Sequence, residues 1–374
     1  MKATQRPSAI PGYEDWPGYV RSQQTAAVPE ASGPLAAALG VPAPPPKLPV
    51  TVDWEDTHRG VTTSQLGWQL GFGPATRAWL VKPSGDTGPL PGVLALHCHA
   101  GNKYTGASRL VDFPPGRCEP RVSAPDPGRH DLYGGLALAT ELARDGFAVL
   151  AHDTFGWGSR RFNLGDPPWR TAAAMEGRRA QWREEGRQPS PAEEYNAAAA
   201  FHEETVAKAA GLLGTSLAGT AAHDDLAALS VLSALPGVDP ERLGCLGFSG
   251  GGGRALVLSA LSPAIRSYVV TAMMTTFESL VPAYLDAHSW LLQTPGLSLL
   301  GDWPSLTALA GAEKFLVQYG IDDPLFPETG MREADRILAG LHGGAYTGSF
   351  WPAGHEFSAG MQREALAFLA GALA

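Results

Sequence analysis

The chain has 374 residues, an ordinary apolar fraction and a net charge of −9. That is enough to bury a large core without disulfide or metal staples. The arginines are scattered rather than clustered, which argues against a nucleic-acid partner, and no apolar run reaches membrane length.

The N-terminus, MKATQRPSAIPGYEDW, lacks the charged-then-apolar pattern of a secretory signal. The nearest apolar stretch, 35–41, is short and lies between prolines. Cys98, Cys118 and Cys245 are too few and too scattered for a disulfide framework. A cytoplasmic protein with reduced thiols is expected.

Residues 1–49 are rich in Pro and Ala and end in VPAPPPKLP. They read as an extended arm over the surface, with one short helix at 34–39. From residue 50 the texture changes. Segments 50–55, 62–70 and 76–82 carry β-branched and aromatic residues between turn residues, and predict an antiparallel start to a sheet. GVLALH at 92–97 is a continuous apolar run, as in a strand buried on both faces. Apolar spacing predicts a helix over 133–145, stopped by Gly146. FAVLAH at 147–152 is the next buried strand. Then follow a helix at 220–235, a strand at 242–248, a helix at 251–261 and a strand at 266–272. A strand at 314–319, a helix at 331–341, a strand at 345–351 and a helix at 356–373 complete the series. Alternation of strand and helix implies a mostly parallel central sheet with helices on both faces.

Two stretches break this rhythm. Residues 102–131 are Pro-, Gly- and Arg-rich and read as a long loop. Residues 156–219 are polar and helix-prone. They follow the C-terminal end of a strand, where open α/β sheets bind ligands, so a helical cap-like insertion is expected. The remainder, 50–374, reads as one domain.

Gly247-Phe248-Ser249-Gly250-Gly251 matches G-x-S-x-G. The pentapeptide alone is weak in a chain this rich in glycine. Its place is more telling, because the strand LGCLGF meets the helix GGGRALVLSAL there. That is the strand–turn–helix elbow that presents a nucleophilic serine. The turn demands strained backbone, and the flanking glycines let neighbouring chain pass close. The helix behind it offers the positive end of its dipole to an oxyanion.

With a serine elbow on an open α/β sheet, the acid and then the histidine follow along the chain. His342 and His355 are the late histidines. His355, in WPAGHEF between the last strand and the last helix, is better placed to reach over the strand ends. The acid is expected after the 314–319 strand, where Asp322 and Asp323 compete. Pro324 restricts Asp323 to extended backbone, and adjacent residues leave a turn in different directions. Asp323 is therefore preferred. One oxyanion donor is expected from the Gly250 N–H and a second from LHCHAG at 96–101, with the His99 N–H as candidate. His97-Cys98-His99 also has metal-ligating residue types. In extended backbone, however, Cys98 would point away from the two histidines, so no metal and no cofactor are expected. His97, Cys98, Trp157 and Arg160 are candidate pocket residues. Arg161 follows the same strand end, while Trp182, Tyr195 and His288 lie in cap-like regions.

The chain resembles the acetyl xylan esterase-like and dienelactone hydrolase-like branch of the α/β-hydrolases. The resemblance is carried by LHCHAG at 96–101, HDTFGWGSRR at 152–161, HDDLAALSVLSALPGVDPERLGCLGFSGGG at 223–252, GIDDPLFP at 320–327 and AGHEF at 353–357. These motifs run in family order over about residues 76–374. The resemblance implies the α/β-hydrolase fold, with Ser249 as nucleophile, Asp323 as acid and His355 as base. It also implies a structural role for Asp153. It implies hydrolysis of a small-molecule carboxylic ester, often a small acyl group such as acetyl on a sugar. Cys98 stands where glycine is common in the family, and the long segments 102–131 and 156–219 are departures. Competing readings are a peptidase of the prolyl oligopeptidase type, for which residues 1–75 are too short to supply the usual extra domain, and a non-catalytic binding protein on a hydrolase fold. A dehalogenase would need a carboxylate where Ser249 stands, and a cysteine-dependent dienelactone hydrolase would need a cysteine there.

Overall fold

The computed structural model describes residues 7–25, 33–43, 47–85, 88–117 and 127–374. A nine-stranded sheet organises them: β1 (Thr51–His58), β2 (Val61–Trp68), β3 (Thr76–Pro83), β4 (Leu90–Leu96), β5 (Ala148–His152), β6 (Val238–Phe248), β7 (Ile265–Thr271), β8 (Lys314–Gly320) and β9 (Tyr346–Trp351). Their spatial order is β1-β2-β3-β5-β4-β6-β7-β8-β9. The pairs β1–β2, β2–β3 and β3–β5 are antiparallel, and every later pair is parallel. β4, and β5 up to the buried His152 at its end, are apolar because helices cover both faces, giving two main apolar clusters, one on each side. This is the α/β-hydrolase fold.

The helices are α1 (Trp16–Thr25), α2 (Pro34–Leu39), α3 (Pro127–Tyr133), α4 (Leu138–Arg144), α5 (Trp169–Glu184), α6 (Pro191–Leu212), α7 (Leu217–Ala234), α8 (Gly250–Leu261), α9 (Phe277–Leu280), α10 (Glu328–His342) and α11 (Ala359–Ala372). Of the helix expected over 133–145, only Leu138–Arg144 (α4) forms as such, and Tyr133 instead ends α3. Gly134 and Gly135 take positive φ between them, which a continuing helix cannot accommodate. The polar stretch 156–219 contains α5 and α6. A capping box starts α6: Ser190 accepts from the Glu193 N–H, and the Glu193 carboxylate accepts from the Ser190 N–H.

The described part of residues 1–49 is not simply an extended arm over the surface. It forms α1 as well as α2, and Tyr13 and Trp16 are completely buried among core aromatics. Proline and alanine dominate its composition, but the large side chains are the ones that dock. Within 102–131, residues 107–110 form a 3₁₀ turn and α3 begins at Pro127. The portion 118–126, with Cys118, lies outside the described residues.

Candidate active site

β6 ends at Phe248 and α8 begins at Gly250, leaving Ser249 alone at the turn with φ 56° and ψ −127°. A residue with a Cβ adopts such backbone only when its surroundings enforce it. Here they do. The Ser249 N–H donates to the Thr271 carbonyl of β7 at 2.8 Å, and the Ser249 carbonyl accepts from the Gly253 N–H at 3.1 Å. A methyl group on Gly247 would lie 2.2 Å from the Gly251 backbone, and one on Gly251 would lie 2.1 Å from the Leu96 carbonyl oxygen. Glycine at both positions is therefore what lets the elbow close.

The loop after β8 carries Asp323. Its carboxylate is buried; Oδ1 accepts from the Leu325 N–H at 2.9 Å, and Oδ2 lies 2.7 Å from His355 Nδ1. His355 Nε2 lies 2.9 Å from Ser249 Oγ. With Asp323 Oδ2 as the acceptor, His355 carries its proton on Nδ1 and leaves Nε2 to accept from the Ser249 hydroxyl. The imidazole packs on Phe248, with ring centroids 4.8 Å apart. His288 braces the acid loop: its Nε2 donates to the Leu325 carbonyl at 2.9 Å, and its ring packs on Phe326. Burial and the neighbouring His355 push the His288 pKa down, so the imidazole stays neutral. His342 lies elsewhere, bonded to Thr307.

The loop after β4 brings His99 against the elbow. A methyl group on Gly250 would sit 3.3 Å from the His99 nitrogen and 3.5 Å from Leu291 Cδ1. Gly250 is the first residue of α8, so its N–H has no partner within the helix. The His99 backbone nitrogen therefore lies close to the first residue of α8. His99 Nδ1 accepts from the Gly101 N–H at 3.0 Å, and Nε2 faces Glu203 at 2.9 Å.

The four candidate pocket residues are placed differently from the expectation. Arg160 is completely buried. Its guanidinium is consumed by Asp224, with Nε at 3.1 Å, and by the Phe72 and Pro74 carbonyls. It stands over the rings of Tyr13 and Phe72, so it holds the arm rather than a ligand. Trp157 is buried beneath the loop, edge-on to His99 at 5.1 Å. His97 is buried, with Nδ1 donating to the Cys98 carbonyl at 3.0 Å; burial and then Arg254 push its pKa well down. Cys98 is buried and its sulfur accepts from Arg109 Nη1 at 3.2 Å. These residues support the site from below. Among the described residues, no group of three or more His, Cys, Asp or Glu side chains is arranged to hold a metal ion. No helix among them is long and apolar enough to cross a membrane.

Asp153 lies in the same supporting layer. Its carboxylate accepts from the Ala107 N–H at 2.9 Å and the Ser159 N–H at 2.8 Å. Burial raises its pKa, and these backbone donors oppose the rise. Sequence reasoning did not find Asp225 or Glu203. Asp225 holds Arg254 (Oδ2 to Nε, 3.0 Å) under the elbow helix. Burial would raise the Asp225 pKa, but Arg254 reverses this and holds it below the usual range. The signal for Asp225 was present as one of two adjacent acids in a largely apolar helix.

The sheet order and the serine elbow are those of the α/β-hydrolase fold. Residues 221–286, which include Ser249, match the family model for acetyl xylan esterase. YtaP of Bacillus subtilis (strain 168), provisionally named a hydrolase, is 24% identical over 298 residues, spanning 78% of this chain and 82% of that protein. Acetyl xylan esterase 1 from Thermoanaerobacterium sp. JW/SL YS485 superposes with a TM-score of 0.53 at 16% identity, covering 99% of this chain and 97% of that one. A glucuronoyl esterase from Solibacter usitatus gives a TM-score of 0.57 at 13% identity, covering 98% and 97%. At these identities the structural likeness establishes the fold.

Proposed function

We propose that the protein is a serine esterase that removes small acyl groups, acetyl foremost, from small-molecule alcohols such as carbohydrates. The observation that carries this reading is the aligned pair of short contacts: Ser249 Oγ to His355 Nε2 at 2.9 Å, and His355 Nδ1 to Asp323 Oδ2 at 2.7 Å. The acetyl xylan esterase match over 221–286 and the esterase neighbours support the ester-hydrolase class.

His355 takes the Ser249 proton as Oγ attacks the ester carbonyl. The oxyanion forms between the Gly250 and His99 N–H groups, each such donor being worth roughly 2.7–4 kcal/mol in the transition state. His355 then gives the proton to the leaving alcohol. Water, deprotonated by the same histidine, hydrolyses the acyl-enzyme. Asp323 keeps the imidazole in the correct tautomer and stabilises the imidazolium.

The test is hydrolysis of p-nitrophenyl esters of increasing acyl length by wild type and Ser249→Ala. Acetate should be preferred, and the variant should lose turnover by about 10⁶-fold. Preference for octanoate would refute the short-acyl reading, and activity surviving in Ser249→Ala would refute the nucleophile.

A further inference from the structure

Glu203 is a carboxylate of the insertion helix α6, buried at the junction of three segments that are far apart in sequence. Oε2 faces His99 Nε2 at 2.9 Å and forms an ion pair with Lys103. Oε1 accepts from Ser289 Oγ at 2.7 Å and from the Trp290 N–H at 3.0 Å. Burial would raise its pKa, but Lys103 and His99 reverse this and hold the carboxyl well below the usual range. Two oxygens thus accept from four donors, a set that no neutral side chain satisfies. An unpaired carboxylate would not remain buried here, and this one is matched on every side.

The arrangement bears directly on the elbow. His99 Nδ1 is occupied by the Gly101 N–H, so the ring proton is on Nε2 and points at Glu203. With both ring nitrogens fixed, the ring cannot turn, and the His99 backbone N–H stays beside Gly250. Asn196 lies two helical turns before Glu203 on the same face of α6. Its Oδ1 accepts from the Lys103 and Tyr104 N–H groups, both at 2.9 Å. Through Ser289, whose Oγ accepts from the Leu291 N–H, the same carboxylate also holds a second residue that borders Gly250.

We propose that Glu203 is a positioning residue that fixes the His99 N–H in the oxyanion hole through the His99 ring. The inference rests on the serine-hydrolase reading above. Glu203 touches no reacting atom, so its effect falls on the transition state more than on substrate binding.

The decisive experiment measures the rate of Ser249 labelling by a fluorophosphonate, because phosphonylation uses the oxyanion hole whatever the natural ester. Glu203→Gln, His99→Phe and the double variant are compared with wild type, alongside melting temperatures. His99→Phe retains the backbone N–H and the ring packing on Trp157 but loses the Nε2 proton. Each single variant should label at least tenfold more slowly, and the double no more slowly than either single, since both break one connection. With p-nitrophenyl acetate, kcat should fall while KM changes less than threefold. Wild-type labelling in Glu203→Gln, or effects that multiply in the double variant, would overturn the inference. So would a loss that tracks melting temperature and raises KM instead. If Glu203→Gln does not fold, His99→Phe alone decides by the same kcat and KM criterion. A wild type that resists labelling would remove the serine-hydrolase reading itself, and the inference with it.

Discussion

Asp322 and Asp323 follow β8 side by side, yet only Asp323 turns its carboxylate inward to His355, while Asp322 is exposed and donates its N–H to the Ala353 carbonyl. Asp323→Asn should fold normally but lose turnover on the order of 10⁴-fold. Its amide can present N–H₂ to Nδ1 and stabilise the tautomer whose Nε2 carries the proton, and that form cannot accept from serine. Asp322→Asn should stay within about threefold of wild type. Steady-state kinetics on the two variants decide the assignment, and a steep loss in Asp322→Asn instead would move the acid by one residue. That Ser249, Asp323 and His355 would come together was legible because each sits in a short local pattern, an elbow or a post-strand loop, whose geometry the chain itself sets. Glu203 was not readable. HEETVAK looks like the solvated face of a helix, and the value of its first glutamate comes from donors 86 to 104 positions away. Arg160 misled for the mirror-image reason: a strand-end arginine suggests a ligand, but Asp224 claims it from 64 positions away.

At the scale of elements, α6 could be foreseen as a helix but not as a three-way clamp. Asn196 and Glu203 face the loop after β4, while His202, one residue before Glu203, faces the N-terminal arm. His202 Nε2 donates to the Ala9 carbonyl at 2.8 Å, and its ring packs edge-on against Phe162. Burial, with a smaller push from Lys103, lowers the His202 pKa to about 4. The unfolded chain, whose histidine titrates near 6.5, takes up the proton first. The stability that neutral His202 contributes is therefore fully present above about pH 6.5 and is lost as pH falls toward about 4. Over this window it amounts to about 3 kcal/mol at most, at 1.36 kcal/mol per unit. Denaturant melts at pH 7.5 and pH 4.5 should show the loss, and His202→Gln should flatten it. An unchanged pH slope in His202→Gln would mean that other groups, such as His97, which is depressed in the same direction, carry the effect.

At the scale of the whole molecule, the alternation of apolar runs and helices was enough to specify the sheet, because strands buried on both faces leave a strong pattern. The arm was harder. Its turns and prolines suggested a surface path, and the aromatic residues of PGYEDWPGY, spaced three apart, were the signal that went unread. Tyr13 sits 4.5 Å from Phe162 and 4.9 Å from Phe155, ring to ring, and its hydroxyl donates to the Arg160 carbonyl. Trp16 stacks on Phe72 and lies 4.9 Å from Phe155. The residues receiving the arm belong to the β2–β3 connection and to the segment after β5. That segment also carries Asp153 and Trp157, which support the loop after β4. The arm is thus continuous with the core beneath the candidate site. Trp16→Ala should cost about 3–5 kcal/mol, as for other buried aromatics truncated to a methyl group. Because no described side chain of α1 lies beside Ser249, the folded fraction of the variant should keep wild-type kcat at low temperature. Urea unfolding followed by circular dichroism, with kcat measured at 10 °C, separates the two effects. A shift worth less than about 1 kcal/mol would show that the arm can leave without opening the core. A fall in kcat with stability retained would show that the packing of the arm reaches the elbow through Trp157.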